Sequence, residues 1–427
     1  MITEVKKLDR GKVELTIELS PNEYQPFLEQ AAKKISNTTK IPGFRPGKAS
    51  YELIKQKVGE VEIWQQALEL AVQKTFLKAL TERNLITVGS PKIDIIKLAP
   101  GNPIIYKATI SLLPQVKLGD YSNIKIEKKP VVIKEDRIKM AMGNLQKMRA
   151  KENLVDRKTQ KGDKVEINFE TFLDKVPIDH GKNEKFNLVI GEGTFIPGFE
   201  EQLIGLGKGE EKKFQLKFPE NYHQKNLAGR LADFEVKMNA VYNLDLPHLD
   251  DEFAKSLGKF KTIKEVEEQI NQNIKEEAQI KESQRLEEEL IDKIIAQSKF
   301  DDIPDLLIDS ETKKMMDELE HSLGHQGLKL EDYLTHLKKK REDLLLDFVP
   351  LAIKRVKSAL VIRKVGEENN IKTTDLEIEE EIQKTLAAYE DGHEMEQQIK
   401  SQAYRDYIRN ILTARKAIDH LKSVIIK

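Results

Sequence analysis

The amino-acid sequence predicts a multidomain α+β protein. The chain has 427 residues, more than one hydrophobic core normally supports. Alternation of apolar and polar residues, the pattern of half-buried strands, occurs in about the first hundred residues and in a central stretch. Beyond Leu246 only helical spacing occurs. We therefore expect an α+β N-terminal domain, a central antiparallel β-sheet domain with a short helix, and an extended all-α C-terminal domain with helical arms.

The first domain is expected at residues 1–113. Its segment Lys12–Leu19 places apolar residues at alternate positions, which predicts a strand with one buried face. Ser20 followed by Glu23 is a capping-box signature and predicts a helix that ends near Ser36. Apolar periodicity predicts one further long helix and two closing strands, at 60–84, 92–98 and 104–112. Helices on one face of a small sheet are the expected arrangement.

Residues 114–149 are expected to form a connector that packs with the C-terminal domain, because this mostly extended segment would not make a core alone. The central domain is expected at 150–245. Its short alternating segments are separated by turns rich in glycine, with Gly205, Gly207 and Gly209 in one of them. This pattern is typical of a compact antiparallel module.

The helical domain is expected at 246–427. Its apolar residues form narrow stripes amid charged residues, which favours long helices with partly unburied aliphatic patches. Such patches would bind unfolded segments without sequence preference. Pro350 is expected to kink its helix or to restart it.

Metal and cofactor sites are not expected. His321 and His325 are four residues apart, but Gly324 interrupts the pair and no third ligand is indicated. The glycine-rich turn does not follow a strand and open a helix, as a nucleotide-binding turn does. The chain has no cysteine, which excludes a disulfide framework, a thiol nucleophile and a cysteine-based metal site.

Charge and hydropathy restrict the partners. The net charge is −1 and the mean hydropathy is −0.53. No apolar run reaches the roughly 18 residues of a membrane span, and the first residues lack the apolar core of a signal peptide. We expect a cytoplasmic protein that binds neither membranes nor DNA. Residues 1–113 nevertheless carry 17 Lys and Arg against 12 Asp and Glu, which suits a polyanionic partner.

The central module resembles FKBP-type peptidyl-prolyl isomerases. The strings GTFIPGFEEQL and FPENYH, with the glycine-rich turn between them, carry the resemblance. It implies a pocket for a prolyl residue, and Ile178 stands in it where many family members have Phe, so that wall is expected to be flatter. The pocket residues that the resemblance implies are Phe169, Ile178, Asp179, Phe186, Phe195, Ile196, Phe199, Tyr222 and Phe234.

Such a pocket needs no nucleophile. Rotation about a prolyl amide costs about 18–20 kcal/mol because amide resonance is lost on twisting. Water stabilises the planar amide, whereas an aromatic pocket removes that water and fits the twisted form better. A gain of about 5 kcal/mol would accelerate the rotation roughly 10³–10⁴-fold.

The whole chain resembles the trigger factor family. The order of its parts carries the resemblance, namely GFRPGK in an α+β domain, an FKBP-like domain near the middle and a helical end that contains IPDLLIDSE and AAYED. The resemblance implies a chaperone that docks on the large ribosomal subunit near the tunnel exit, against ribosomal protein and rRNA. It also implies binding of nascent and unfolded polypeptides, a homodimer when free, and links to protein export and cell division.

The GFRPGK loop has the features of a docking tip. Between Lys33 and Lys57 there are seven basic residues and one acid, Glu52, which suits rRNA phosphates. Prolines stiffen the chain on both sides of Phe44, and a Phe beside an Arg is typical of interface hot spots. Ala49 and Ser50 follow the motif, whereas the strongest variants of GFRPGK continue with proline, so the exit of the loop is expected to be slightly looser. The expected ribosome-binding residues are Gly43, Phe44, Arg45, Pro46, Gly47 and Lys48.

Two other functions compete with ribosome docking. One is a post-translational FKBP-type isomerase that acts on client proteins and uses its helices to dimerise. The other is a periplasmic chaperone-isomerase, which the missing signal-peptide core and the N-terminal position of the basic domain disfavour. A ribosome-binding measurement separates the first alternative from docking.

Overall fold

The computed structural model describes residues 1–38, 44, 47, 49–222, 224–388 and 399–425, without the side chains of 179, 180 and 388. The predicted docking residues Gly43, Arg45, Pro46 and Lys48, and the side chain of Asp179, lie outside this description. The chain divides into two compact units, one of residues 1–128 with 283–427 and the other of residues 129–282. The predicted fold class, a multidomain α+β chain with antiparallel sheets, is confirmed.

The first unit begins with a four-stranded antiparallel sheet in the order β1-β2-β4-β3. The alternate apolar residues of the predicted strand Lys12–Leu19 are buried, as the pattern indicated. The predicted helix cap is confirmed, because Ser20 donates from its backbone N–H (2.9 Å) and its hydroxyl (2.8 Å) to Oε2 of Glu23. The elements are β1 (Ile2–Lys7), β2 (Lys12–Leu19), α1 (Pro21–Thr38), α2 (Tyr51–Val58), α3 (Glu60–Glu82), β3 (Thr87–Lys97), β4 (Ile104–Leu112) and β5 (Val116–Lys117).

The second unit contains a five-stranded antiparallel sheet. Four strands follow the order β6-β10-β7-β8, and β9 pairs with β10. A helix outside the sheet, α4, packs with α6 and the start of α7 through Met142, Ala254 and Val266. The elements are α4 (Glu135–Met148), β6 (Lys151–Leu154), β7 (Lys164–Leu173), β8 (Val176–Val189), α5 (Phe199–Leu203), β9 (Glu211–Lys217), β10 (Leu231–Asp245), α6 (Asp251–Ser256) and the part of α7 (Ile263–Gln297) up to residue 282, the rest of which belongs to the first unit.

The rest of the first unit is helical apart from β11 (Lys299–Phe300), which pairs with β5. Ile124 and Ile126 are buried in one cluster with Leu290 and Ile294 of α7. The same cluster contains buried residues from α10 and α12. The helices are α8 (Asp305–His325), α9 (Leu330–Leu337), α10 (Arg341–Glu368), α11 (Asp375–Ala388) and α12 (Gln402–Ile425).

Two helices are more continuous than the sequence predicts. The α8 helix runs through Gly324 and ends at His325, so Gly324 does not interrupt the histidine pair. The α10 helix runs through Pro350, so of the two predicted effects of this proline, a kink or a restart, the restart does not occur. Proline removes one backbone donor, and the carbonyl of Leu346 loses its partner. Pro350 and Leu346 lie on the exposed side of the helix, where water can solvate that carbonyl. Within the described residues, no helix has the length and apolarity needed to cross a membrane.

Candidate prolyl-isomerase site

The candidate site lies on the five-stranded sheet of the second unit. Strands β7 and β10 pair in antiparallel register, with Phe169 opposite Val236. Since alternate residues of a strand share a face, the sheet presents Phe169 and Phe234 together with the buried Val165 and Ile167. The short helix α5 brings Phe199 to the same core.

Phe199 is the centre of an aromatic cluster and is 0% exposed. Its ring is stacked on that of Phe195, with centroids 3.9 Å apart and planes inclined by 27°. Phe214 and Phe234 each lie 5.4 Å from it, in edge-to-face geometry. Phe169 lies 6.0 Å away. Edge-to-face and offset contacts of this kind add about 0.5–1.5 kcal/mol per pair beyond the burial of apolar area.

A second set of contacts extends this cluster toward β8. Phe169 contacts Phe186 at 5.5 Å and Phe195 at 5.2 Å between ring centroids. Phe186 and Phe195 are 5.9 Å apart. All three side chains are half-buried. The structure therefore brings the five predicted phenylalanines together in one connected cluster.

The other predicted pocket residues lie around this cluster. Ile196 is buried, and Ile178 and Tyr222 are half-buried against the same core. Tyr222 packs on Phe218, with ring centroids 4.7 Å apart. That these residues bind a prolyl segment stays a prediction.

Glu200 is a residue that the sequence reasoning missed. The residue is 4% exposed, and its carboxylate accepts four backbone N–H bonds from the preceding loop. Oε2 accepts from Gly191 (2.7 Å) and Gly193 (3.0 Å), and Oε1 accepts from Thr194 (2.7 Å) and Phe195 (3.3 Å). An acid in the first turn of a helix, directly after a glycine-containing loop, was the available signal.

These hydrogen bonds stabilise the charged form of the Glu200 carboxyl. Burial by itself raises the pKa of the Glu200 carboxyl, but the hydrogen bonds from Gly193, Gly191, Phe195 and Thr194 outweigh burial and lower its pKa below the usual value. The carboxylate thereby fixes the backbone of residues 191–195, which leads into the aromatic cluster.

Two residues of the candidate docking loop, Phe44 and Gly47, are described, and Gly47 lies close to the end of α1. Gly47 donates its backbone N–H to the carbonyl of Ser36 at 3.1 Å. Its φ is +77°, a backbone conformation that favours glycine, and an added Cβ would lie 2.2 Å from Oδ1 of Asn37, so that side chain would have to move. Phe44 is 44% exposed, as the docking hypothesis requires.

The histidine pair on α8 has its Nε2 atoms 3.0 Å apart. Across the part of the chain that the structure describes, no group of three or more His, Cys, Asp or Glu side chains is placed to hold a metal ion. The pair is therefore treated as two hydrogen-bonded surface side chains.

The antiparallel sheet, the short helix α5 and the aromatic cluster define an FKBP-type isomerase domain, and residues 155–246 match the family model of the FKBP-type peptidyl-prolyl cis-trans isomerase. Residues 1–145 match the model of the bacterial trigger factor protein, and residues 262–423 match that of its C-terminus. The chain therefore belongs to the trigger factor family, a family of chaperones.

Curated relatives match over the whole chain. Trigger factor of Bacillus licheniformis is 36% identical over 99% of this chain and 99% of its own. Trigger factor of Caldicellulosiruptor saccharolyticus is 34% identical over 98% of this chain and 95% of its own. A solved trigger factor chaperone structure aligns over 99% of both chains, with 20% identity and a TM-score of 0.46.

Proposed function

We propose that this chaperone docks on the ribosome through the Phe44 loop and receives nascent chains there. The exposed phenyl ring of Phe44 carries the proposal, because a stiff loop leaves an aromatic ring in water at a cost unless a partner covers it. The basic residues around it suit the phosphates of rRNA near the tunnel exit of the large subunit. Gly47 supports the proposal because its backbone N–H bonds to the carbonyl of Ser36 and so ties this position, three residues after Phe44, to α1.

Three further parts of the proposal rest on membership of the trigger factor family. We propose cytoplasmic localisation, homodimers when the chain is free, and a role in protein export. The proposed boundaries remain 1–113 for docking, 114–149 for the connector, 150–245 for the isomerase and 246–427 for the chaperone helices. Exposed aliphatic side chains such as Leu346, Leu351 and Leu376 on the helices support loose binding of unfolded segments.

A ribosome co-sedimentation assay tests the docking. The double variant Phe44→Ala/Arg45→Ala is expected to bind at least about thirtyfold more weakly, as loss of an interface hot spot implies. The matched control is Leu77→Ala, which removes an exposed apolar side chain from α3 of the same domain. Wild-type binding is also expected to weaken steeply with added salt. If the double variant pellets with ribosomes like the wild type, docking through this loop is wrong. The alternative hypothesis, a post-translational isomerase that does not dock, is then favoured.

We further propose that the aromatic cluster catalyses prolyl isomerisation. Phe199, Phe169 and Phe186 would surround the prolyl ring with apolar surface, remove water from the amide carbonyl and favour the twisted amide. The edge-to-face packing among these rings supports this, since it holds the walls of the site in fixed orientation.

Isomerase turnover of Leu-Pro and Phe-Pro peptides tests this assignment. Phe199→Ala is expected to lower kcat/KM sharply, by about tenfold or more, because the ring of Phe199 is the proposed floor of the site and the variant lacks it. Phe199→Leu keeps more of the buried volume and serves where the alanine variant unfolds. The control is Phe348→Ala, a half-buried phenylalanine of α10 in the other unit. Unchanged turnover in both Phe199 variants would refute the pocket.

A further inference from the structure

The ring of Phe195 occupies the space between the proposed floor of the prolyl site, Phe199, and its proposed walls, Phe169 and Phe186. The floor residue Phe199 has no exposed surface. The face of its ring is covered by Phe195 at 3.9 Å. The ring of Phe195 also contacts the rings of the two proposed walls, with centroid distances of 5.2 Å to Phe169 and 5.9 Å to Phe186. A second ring cannot occupy that space, because protein cores are packed at the density of organic crystals.

The backbone beneath Phe195 is held in place. Its own N–H and that of Thr194 bond to Oε1 of Glu200, at 3.3 and 2.7 Å. Gly191 and Gly193 are bonded to the other carboxylate oxygen. The loop therefore cannot lift away as a unit without breaking charge-assisted hydrogen bonds.

The side chain of Phe195, in contrast, is partly exposed to solvent. Phe195 is half-buried, and the preceding residues Gly193 and Thr194 are exposed. Rotation about χ1 of a partly exposed side chain is a fast motion that leaves the backbone unchanged.

We propose that Phe195 is the gate of the prolyl site and sets its affinity for prolyl segments. In the closed state its ring covers Phe199, and a prolyl segment binds only after the ring has rotated outward. The proposal rests on the proposed isomerase function of the aromatic cluster. It adds that the wild-type site is closed in most molecules, so that its apparent affinity is reduced by the fraction of open sites.

Kinetics of the full-length protein on Leu-Pro and Phe-Pro peptides test the gate. An open fraction of about one tenth would make KM fall about tenfold when the ring is removed. Phe195→Ala is expected to show this fall equally for both peptides, since both displace the same ring. Phe195→Leu, which keeps apolar bulk but cannot stack, is expected to show a smaller fall and serves where Phe195→Ala is unstable.

The Phe199→Ala variant separates the gate from the site. If Phe199→Ala loses activity while Phe195→Ala and Phe195→Leu raise KM or lower kcat, Phe195 is a wall of the pocket and the gate is wrong. If Phe199→Ala keeps full activity, the proposed isomerase site itself is wrong. A fall in KM on loss of Phe195 together with loss of activity at Phe199 supports both.

A second measurement does not depend on activity. Phe199→Trp places an indole at the floor, and Trp64, the chain's one native tryptophan, is only 8% exposed. Acrylamide quenching of Phe199→Trp fluorescence is expected to increase when Phe195→Ala is added. Equal quenching in the two proteins would show that Phe195 does not cover the floor, and would overturn the gate.

Discussion

The carboxylate of Glu200 offers the sharpest test of how the candidate site is held. Glu200→Gln keeps the size of the side chain and one acceptor oxygen, but it replaces the other oxygen with an NH₂ group. That group faces two backbone N–H donors, either those of Gly191 and Gly193 or those of Thr194 and Phe195. Two donors then lose their acceptor, and the two remaining bonds lose the charge.

The cost follows from these contacts. Each backbone N–H that loses its acceptor costs about 1–3 kcal/mol. The lower half of this range applies here because Gly191, Gly193 and Thr194 are exposed to water. We expect a loss of about 3 kcal/mol in the free energy of opening of the loop. This corresponds to about a hundredfold faster exchange of its amide hydrogens.

Hydrogen exchange of the full-length protein, measured by mass spectrometry on peptides that cover 188–206, is the appropriate assay. Tryptophan fluorescence does not serve, since Trp64 lies in the N-terminal domain. The control is Glu201→Gln, the same change at the exposed neighbour on α5. Equal protection in the Glu200 and Glu201 variants would refute the idea that this carboxylate holds the loop.

The pH dependence has a defined sign. The pKa of Glu200 in the folded protein lies below its ordinary value of 4.5. The stability that the carboxylate contributes is therefore present above that ordinary value and is lost as the pH falls through the folded pKa. The difference in loop stability between wild type and Glu200→Gln should shrink as the pH is lowered below 4.5. A difference that stays constant to pH 2 would contradict this.

Two further predictions concern the core of the N-terminal domain, where Trp64 reports unfolding. The buried hydroxyl of Tyr106 lies 2.8 Å from that of Thr75, so Tyr106→Phe is expected to cost about 1 kcal/mol in a denaturant titration, and an unchanged midpoint would refute that. Burial raises the pKa of Tyr106 to about 12, against a smaller lowering by Thr75. Since the neutral phenol is favoured in the folded state, this domain should lose stability as the pH rises from 10 to 12, and Tyr106→Phe should lack that loss.

Strand β8 shows where local patterns did not suffice. Its sequence contains Pro177, Gly181 and Asn183, which disfavour strands. It forms because β7 offers a partner, with Ile167 opposite Phe186. It is also the edge strand of its sheet, where the missing donor of a proline is tolerated.

The sequence by itself determined the family, the α+β and helical parts, and the apolar face of its own strand on which each of Phe169 and Phe234 lies. These depend on motifs and on periodicities of two and 3.6 residues, which are local properties of the chain. Only the tertiary structure decided that Glu200 is buried under four N–H donors and that Phe195 covers Phe199. Both depend on how a loop closes over a helix and how side chains share one volume, and packing of that kind has no sequence period.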